Sequence, residues 1–272
     1  MLREKMGIKK QSSPEKTSET GNPYFEVQAS WGMTKHMGGL KATEQLVELC
    51  HIKQGKYVLV VGCGVGVTPC YLAERYGCKV VGVDLSEKMV GRSKERARRK
   101  GIEDKVEFRV ADAQDLPFED AIFDAIICES VNAFVENKPG ALSEYVRVIK
   151  PGGYAGINEV TWLKTPPEEL VSYLYRIMGA EFLTSSGWKE LLDDSGLKDT
   201  AALVFKTNAV SQWTGEVRQF ELSDFIKAWC RYCYMVIKSP AARKFTREAL
   251  SFPRSIFRLF EYFGYGLYAG RK

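Results

Sequence analysis

Apolar positions in the first half of the chain fall into short, dense runs separated by longer amphipathic stretches. Tyr57 to Val61, Lys79 to Val83, Val106 to Val110, Phe123 to Cys128 and Tyr154 to Val160 read as five strands. Apolar runs of this length suit strands that are covered on both faces. Between them, Thr68 to Tyr76, Ser86 to Lys100 and Pro139 to Ile149 predict helices. Pro69 falls where a first helical turn tolerates it, Gly101 is placed to stop the long charged helix, and Pro151-Gly152-Gly153 to close the third. Ala42 to Leu49 predicts a helix ahead of the first strand, with Leu46, Val47 and Leu49 apolar and Thr43 near its start. Strands separated by helices imply an α/β fold with a parallel sheet covered on both faces.

Beyond the fifth strand the regularity loosens. Trp162 to Thr184 reads as an apolar-aromatic helical insert, Trp188 to Ser195 as a helix capped by Gly196, and Ala201 to Thr207 as a sixth strand. Trp213 to Phe263 predicts several more helices, and Tyr265 to Ala269 a last strand. Residues 1–22 are polar and lack apolar periodicity, which predicts a disordered arm. Tyr24, Phe25, Trp31, Met33 and Met37 then suggest a short helical segment packed on the domain. The expected organisation is one domain over residues 23–272. Its core spans 40–160 and 188–207, and its helical caps 162–186 and 211–263.

Composition narrows the class only modestly. The 272 residues are 45% hydrophobic and 27% charged, ordinary for one large globular domain. No apolar run approaches the roughly 20 residues that span a bilayer, and the first residues lack the apolar core of a secretory signal. Seven scattered cysteines do not form a disulfide framework, so a reducing cytoplasm is the expected compartment. Cys230 and Cys233 stand one helical turn apart. No second pair at zinc-like spacing accompanies them, so buried free thiols and no metal site are expected. The net charge is +5. From Arg218 to Lys272 there are eleven Lys or Arg against four acids, in an aromatic-rich tail. Such a surface suits an anionic membrane, nucleic acid or anionic substrate.

The chemistry concentrates at Val58-Leu59-Val60-Val61-Gly62-Cys63-Gly64-Val65-Gly66, followed by Lys79-Val80-Val81-Gly82-Val83-Asp84. A buried strand, a glycine turn, a helix and a second strand ending in an acid make a nucleotide-binding βαβ unit, the acid placed to accept from a ribose diol. A dinucleotide fingerprint would have its third glycine at position 67. Here it falls one place early, at Gly66, and Val67 fills that place. This favours a ligand without a pyrophosphate, and the absence of a following Lys-Ser/Thr excludes a P-loop.

Four segments in order resemble the class I S-adenosylmethionine-dependent methyltransferases of the small-molecule type: VLVVGCGVG, VVGVDLS, FRVADAQDLPF, and the pair FDAIICES and RVIKPGGYAGINE. The resemblance covers roughly residues 36–206 and the last strand. It implies a Rossmann-like, doubly wound, mostly parallel seven-stranded sheet with an antiparallel last strand and helical caps after strands five and six. It also implies S-adenosylmethionine as cofactor and S-adenosylhomocysteine as product.

Carried onto this chain, the resemblance puts Gly62, Cys63, Gly64 and Gly66 beneath the methionine and ribose portions, and Asp84 on the ribose hydroxyls. Leu85 is expected beside adenine, Asp112 on its amino group with Ala113 donating its N–H, and Glu129 and Ser130 on the methionine part or facing the acceptor. One departure stands out: the family's usual acid at the third position of the first motif is Val60 here. Glu129 is the candidate replacement.

Methyl transfer needs proximity and, for a phenol, hydroxyl or carbon acid, a general base. His36, Glu129 and Glu159 are the candidates, His36 because the segment before the first helix closes over the cofactor in related enzymes. His51, at a helix end, is given no catalytic role. Tyr24, Trp31, Trp162, Tyr173, Tyr175, Met178, Trp213, Trp229, Tyr232 and Tyr234 are the aromatic and Met stock for an acceptor pocket. The expected acceptor is a small molecule: an amine, a quinone- or polyketide-like ring, or a lipid headgroup. The rivals are an RNA methyltransferase and a non-catalytic cofactor-binding protein. Strand four ends in Cys-Glu-Ser-Val, which lacks the Asn/Asp-Pro-Pro motif of base-amine enzymes, so nucleic acid is disfavoured. Phe245 to Tyr268, with Phe252, Arg254, Phe257, Arg258, Phe260 and Phe263, is the stretch expected at an anionic membrane.

Overall fold

A computed structural model of the chain describes residues 23–32, 36–208 and 222–272. The proposed N-terminal arm, Met33 and Trp213 lie outside the described residues. The fold opens with α1 (Pro23–Trp31) and α2 (Gly39–Leu49). Strands and helices then alternate: β1 (Tyr57–Val61), α3 (Val67–Tyr76), β2 (Lys79–Asp84), α4 (Glu87–Lys100), β3 (Val106–Val110) and β4 (Phe123–Glu129). A 3-10 turn (Asn132–Phe134), α5 (Lys138–Val148) and β5 (Ile149–Trp162) complete the first half. There follow α6 (Glu168–Met178), β6 (Leu183–Thr184), α7 (Ser185–Asp194), β7 (Lys198–Lys206), α8 (Leu222–Lys238), α9 (Pro240–Leu250), a 3-10 turn (Arg254–Arg258), α10 (Leu259–Tyr262) and β8 (Phe263–Arg271).

The strands form one sheet in the order β3-β2-β1-β4-β5-β8-β7, with two-residue β6 pairing β5. Strands β1 to β5 are parallel, and β8 runs antiparallel between β5 and β7. The expected doubly wound sheet with an antiparallel last strand is therefore present. Order reverses between β1 and β4, so their carboxyl ends form the crevice where ligands bind open α/β sheets.

Two apolar layers sandwich the sheet. One joins Leu46, Val58, Val60, Leu72, Phe108 and Ile127; the other joins Leu59, Ile126, Tyr145, Ile157, Trp188 and Tyr268. Ser86 caps α4 by accepting from Met89 N, and Gly101 ends it at φ +64°. Both follow from sequence chemistry.

Several expectations needed correction. β5 begins at Ile149 and runs through Pro151-Gly152-Gly153, because Gly152 N and Lys272 N bond to Lys272 O and Gly153 O, holding the dipeptide beside β8. The 162–184 insert is helical only over Glu168–Met178. Cys230 and Cys233 are free thiols but exposed, because they lie on the outward side of α8. Phe263 is buried and Phe260 packs on the core, which leaves Phe252 and Phe257 as the exposed aromatics of that tail.

Candidate active site

The carboxyl ends of β3, β2, β1, β4 and β5 bring Asp112, Asp84, the glycine loop, Glu129 and Glu159 side by side in that order. After β1 the backbone turns through Gly62 (φ +67°), Gly64 (φ +55°) and Gly66 (φ +79°). Alternate left-handed residues need glycine. At Gly62 a Cβ would also meet the Val131 side chain, and at Gly66 it would press on Ser93. Glycine is thus demanded by neighbouring protein as well as by any ligand. Cys63 in the same loop is buried, and its thiol pKa is driven up chiefly by that burial.

Asp84 braces this loop. Its Oδ2 accepts from Gly64 N at 2.8 Å and its Oδ1 from Ser86 N at 3.0 Å. Burial pushes its carboxyl above the usual range, against those two N–H donors. A carboxylate has about four acceptor positions, so two remain for a diol. Leu85 beside it and Val110 at the end of β3 are about half exposed, at 48% and 50%. They present apolar surface at the ends of β2 and β3. Asp112 Oδ1 accepts from Gln114 N at 2.9 Å, a turn that places buried Ala113 next to it.

Glu129 is the centre of a buried polar cluster. Oε1 accepts from Thr43 Oγ1 at 2.8 Å and Oε2 from Thr68 Oγ1 at 2.7 Å, so residues of α2 and α3 converge on one carboxylate. His36 Nε2 lies 3.2 Å from Thr43 Oγ1 and 3.7 Å from Glu129 Oε1. Because the Thr43 proton is given to Glu129, its oxygen accepts from His36, and Nε2 carries a proton. His36 and Glu129, separate candidates in the sequence, therefore share one cluster, whose Thr43 and Thr68 were missed. A threonine in a helix's first turns reads in sequence only as a cap.

The segment after His36 is pinned across the strand ends. Asn158 Nδ2 donates to Met37 O at 2.7 Å, and Met37 N donates to Ser130 Oγ at 3.4 Å. Ser130 itself sits at φ +58°, with its N–H on Asn158 O. A non-glycine residue there is strained by about 1 kcal/mol or more, the kind of strain found at functional sites.

Glu159 has a different setting from the one expected. It is fully buried, and its Oε1 accepts from Val131 N, Asn132 N and Asn132 Nδ2 at 2.7–3.1 Å. Burial raises its pKa to about 7. Its Oε2 has no partner among the described residues. Asn132 in turn bonds Cys128 Sγ and accepts from Tyr145 OH. This network clamps the turn following Glu129 and Ser130, so Glu159 positions that turn.

Helix α1 packs on the 3-10 turn after β4 and on α4 and α8. Tyr24 stacks on Phe134 with centroids 5.6 Å apart, and Phe25 meets the same ring at 4.9 Å. Its C-terminal carbonyls are held by Arg92 of α4, on Ala29 and Ser30, and by Arg231 of α8, on Trp31. Trp31, Trp229 and Tyr232 form an aromatic trio between α1 and α8. Of the remaining aromatic and Met stock, Trp162, Tyr173 and Met178 pack into core layers, whereas Tyr175 and Tyr234 are exposed.

Glycine loop, ribose-type acid, adenine-side turn and strand order together define a class I S-adenosylmethionine-dependent methyltransferase domain. Residues 59–157 match the family model described as a methyltransferase domain, Methyltransf_11. Phosphoethanolamine N-methyltransferase 1 of Arabidopsis thaliana is 34% identical over 166 residues, covering 61% of this chain and 33% of that protein. The chain thus spans about a third of that relative's length. Two solved structures share the fold at 19% identity. The [4+2]-cyclase SpnF superposes with a TM-score of 0.71 over 93% of both chains. Phosphoethanolamine N-methyltransferase 2 of Haemonchus contortus, in complex with S-adenosyl-L-methionine, does so with 0.66 over 94% of this chain and 57% of that one. The residues at the strand ends fit that cofactor: a glycine cradle, a carboxylate with spare acceptor positions, and flanking apolar side chains.

Proposed function

We propose that the protein transfers a methyl group from S-adenosylmethionine to a small-molecule acceptor. The observation that carries this reading is Asp84, set at the end of β2 and bonded to the glycine loop it faces. When bound, the cofactor supplies an electrophilic sulfonium methyl. Asp84 would hold the ribose hydroxyls, Leu85, Asp112 and Ala113 the adenine, and Gly62, Cys63, Gly64 and Gly66 the backbone cradle. Glu129 and Ser130 would line the methionine end, with Glu129 providing the anionic charge that Val60 does not. Orientation and exclusion of water by α1 and the His36–Met37 segment supply most of the rate enhancement in such a displacement.

His36 would take a proton from an acceptor at Nδ1 while its Nε2 proton passes to Thr43 and the Thr43 proton to Glu129, which ends protonated. Amines, phenol-like rings and lipid headgroups fit equally at this level. The phosphoethanolamine relatives favour the amine or headgroup members of that set. The test is binding first: a thermal shift with S-adenosylhomocysteine and none with NAD(H) supports the reading, and the reverse result overturns it. A gel shift with bulk tRNA at two salt concentrations separates the RNA alternative. Val60 favours a second reading, in which the chain binds the cofactor without transferring methyl. Label transfer to any acceptor removes it.

A further inference from the structure

The cap helix α8 has two unlike sides. Its inner side is tied to α1 through Arg231 on the Trp31 carbonyl and through Ala228, which is fully buried. On its outer side Ile226, Cys230, Cys233 and Ile237 are all exposed. Their spacing of four, three and four residues places them in one stripe about three turns long. Ile226 and Ile237 are 54% and 70% exposed, and Tyr234, at 64%, flanks the stripe. Lys227 and Lys238 stand exposed on that same flank, Lys238 over the Tyr234 ring.

The charge around the stripe is one-sided. From Phe225 to Arg258 the sequence carries eight Lys or Arg and one acid, Glu248. Arg231 is used inward, Arg258 pairs with Glu261, and Arg243 donates to the Val236 and Ile237 carbonyls, which leaves Lys227, Lys238, Lys244, Arg247 and Arg254 exposed. Beyond α9, Phe252 and Phe257 form an exposed edge-to-face pair, Phe257 being 80% exposed.

An exposed apolar stripe with a basic flank is costly to leave in water, and three kinds of surface could cover it. A second copy would bring basic flank against basic flank. Nucleic acid complements the charge but gives nothing to the isoleucines. An anionic lipid surface satisfies both, taking the apolar stripe at the headgroup boundary and the lysines among the anionic groups. We propose that the outer face of α8, with the Phe252–Phe257 pair as a second apolar contact, docks the protein onto anionic lipid. This stands independently of methyl transfer, since its readout is binding alone.

The test is flotation of the full chain with phosphatidylcholine vesicles, with and without phosphatidylglycerol, at low and high salt. Binding should require the anionic lipid and weaken with salt. It should fall by on the order of tenfold in Lys227→Glu/Lys238→Glu and in Ile226→Ser/Ile237→Ser. Leu203→Ser, which removes an exposed apolar side chain of β7, should leave it unchanged. Melting temperatures and S-adenosylhomocysteine binding of each variant separate lost docking from lost folding. No binding at low salt, equal binding to neutral vesicles, or wild-type binding by both stripe variants overturns the proposal. So does a salt-stable dimer that Ile237→Ser dissolves.

Discussion

Glu129 lies on the same face of the sheet as Val60, one strand over and two residues nearer the carboxyl end. Val60 pairs in register with Ile127, and side chains alternate along β4, so Glu129 follows Ile127 on that face. The face that lacks an acid on β1 has one on β4, and Thr43 and Thr68 turn their hydroxyls to it. Under the proposed function, Glu129 is the acid placed to stand in for the one that β1 lacks.

Removing that charge should therefore weaken cofactor binding. Glu129→Ala is expected to lower affinity for S-adenosylhomocysteine by roughly ten- to a hundredfold, the range for losing a charged hydrogen-bond partner. Glu136→Ala, at an exposed site on the same connection, should leave it unchanged. Calorimetry giving equal affinities for the two variants would reject the assignment.

Restoring an acid on β1 should not help while Glu129 is present. Val60 is buried among apolar side chains, and Val60→Asp is expected to cost about 3 kcal/mol or more in urea unfolding. In the Glu129→Ala background the cost should be smaller by about 1 kcal/mol, because two carboxylates no longer share one face. Strict additivity would show that the two positions are not coupled.

Glu159 should make stability depend on pH. Its folded pKa of about 7 lies above the ordinary 4.5, so the native state holds the proton more tightly than the unfolded chain. The contribution is fully present below pH 4.5 and falls by about 1.4 kcal/mol per pH unit as pH rises toward 7. Glu159→Gln removes this slope. The variant's melting temperature relative to the native chain should therefore rise between pH 5 and pH 8. Parallel curves would contradict the burial-driven shift.

The cap should be separable from the core at Arg231. Arg231→Ala loses two bonds to the Trp31 carbonyl at 3.1 and 2.9 Å. We expect faster proteolysis around α8 and weaker cofactor retention, with little change in the main melting transition. A large loss of overall stability would show that α1 and α8 belong to the cooperative core.

The core strands and the glycine turn with its acid at the end of β2 were legible because their signals are local. Tyr57 to Val61, the alternate glycines and Asp84 each carry their reason within a few residues. The Glu129 cluster was only half legible. Its acid shows in sequence, but Thr43 and Thr68 sit 86 and 61 residues away and meet it only through the packing of α2 and α3. The bonds of Glu159 to the Val131–Asn132 turn were not legible for a related reason. The end of a strand marks where a ligand can lie, but not whether a neighbouring turn has already taken the carboxylate. Cys230 and Cys233 looked core-like because a cysteine in an apolar helix usually is, and only the orientation of α8 turns them outward.

The central claim is methyl transfer to a small molecule through the Asp84 site. The most direct measurement incubates the full chain with methyl-labelled S-adenosylmethionine and a panel of amines, phenols, lipid headgroups and bulk tRNA. The account predicts label in the small-molecule fraction, lost in Asp84→Ala. Label in the RNA, or none in any acceptor despite cofactor binding, would contradict it.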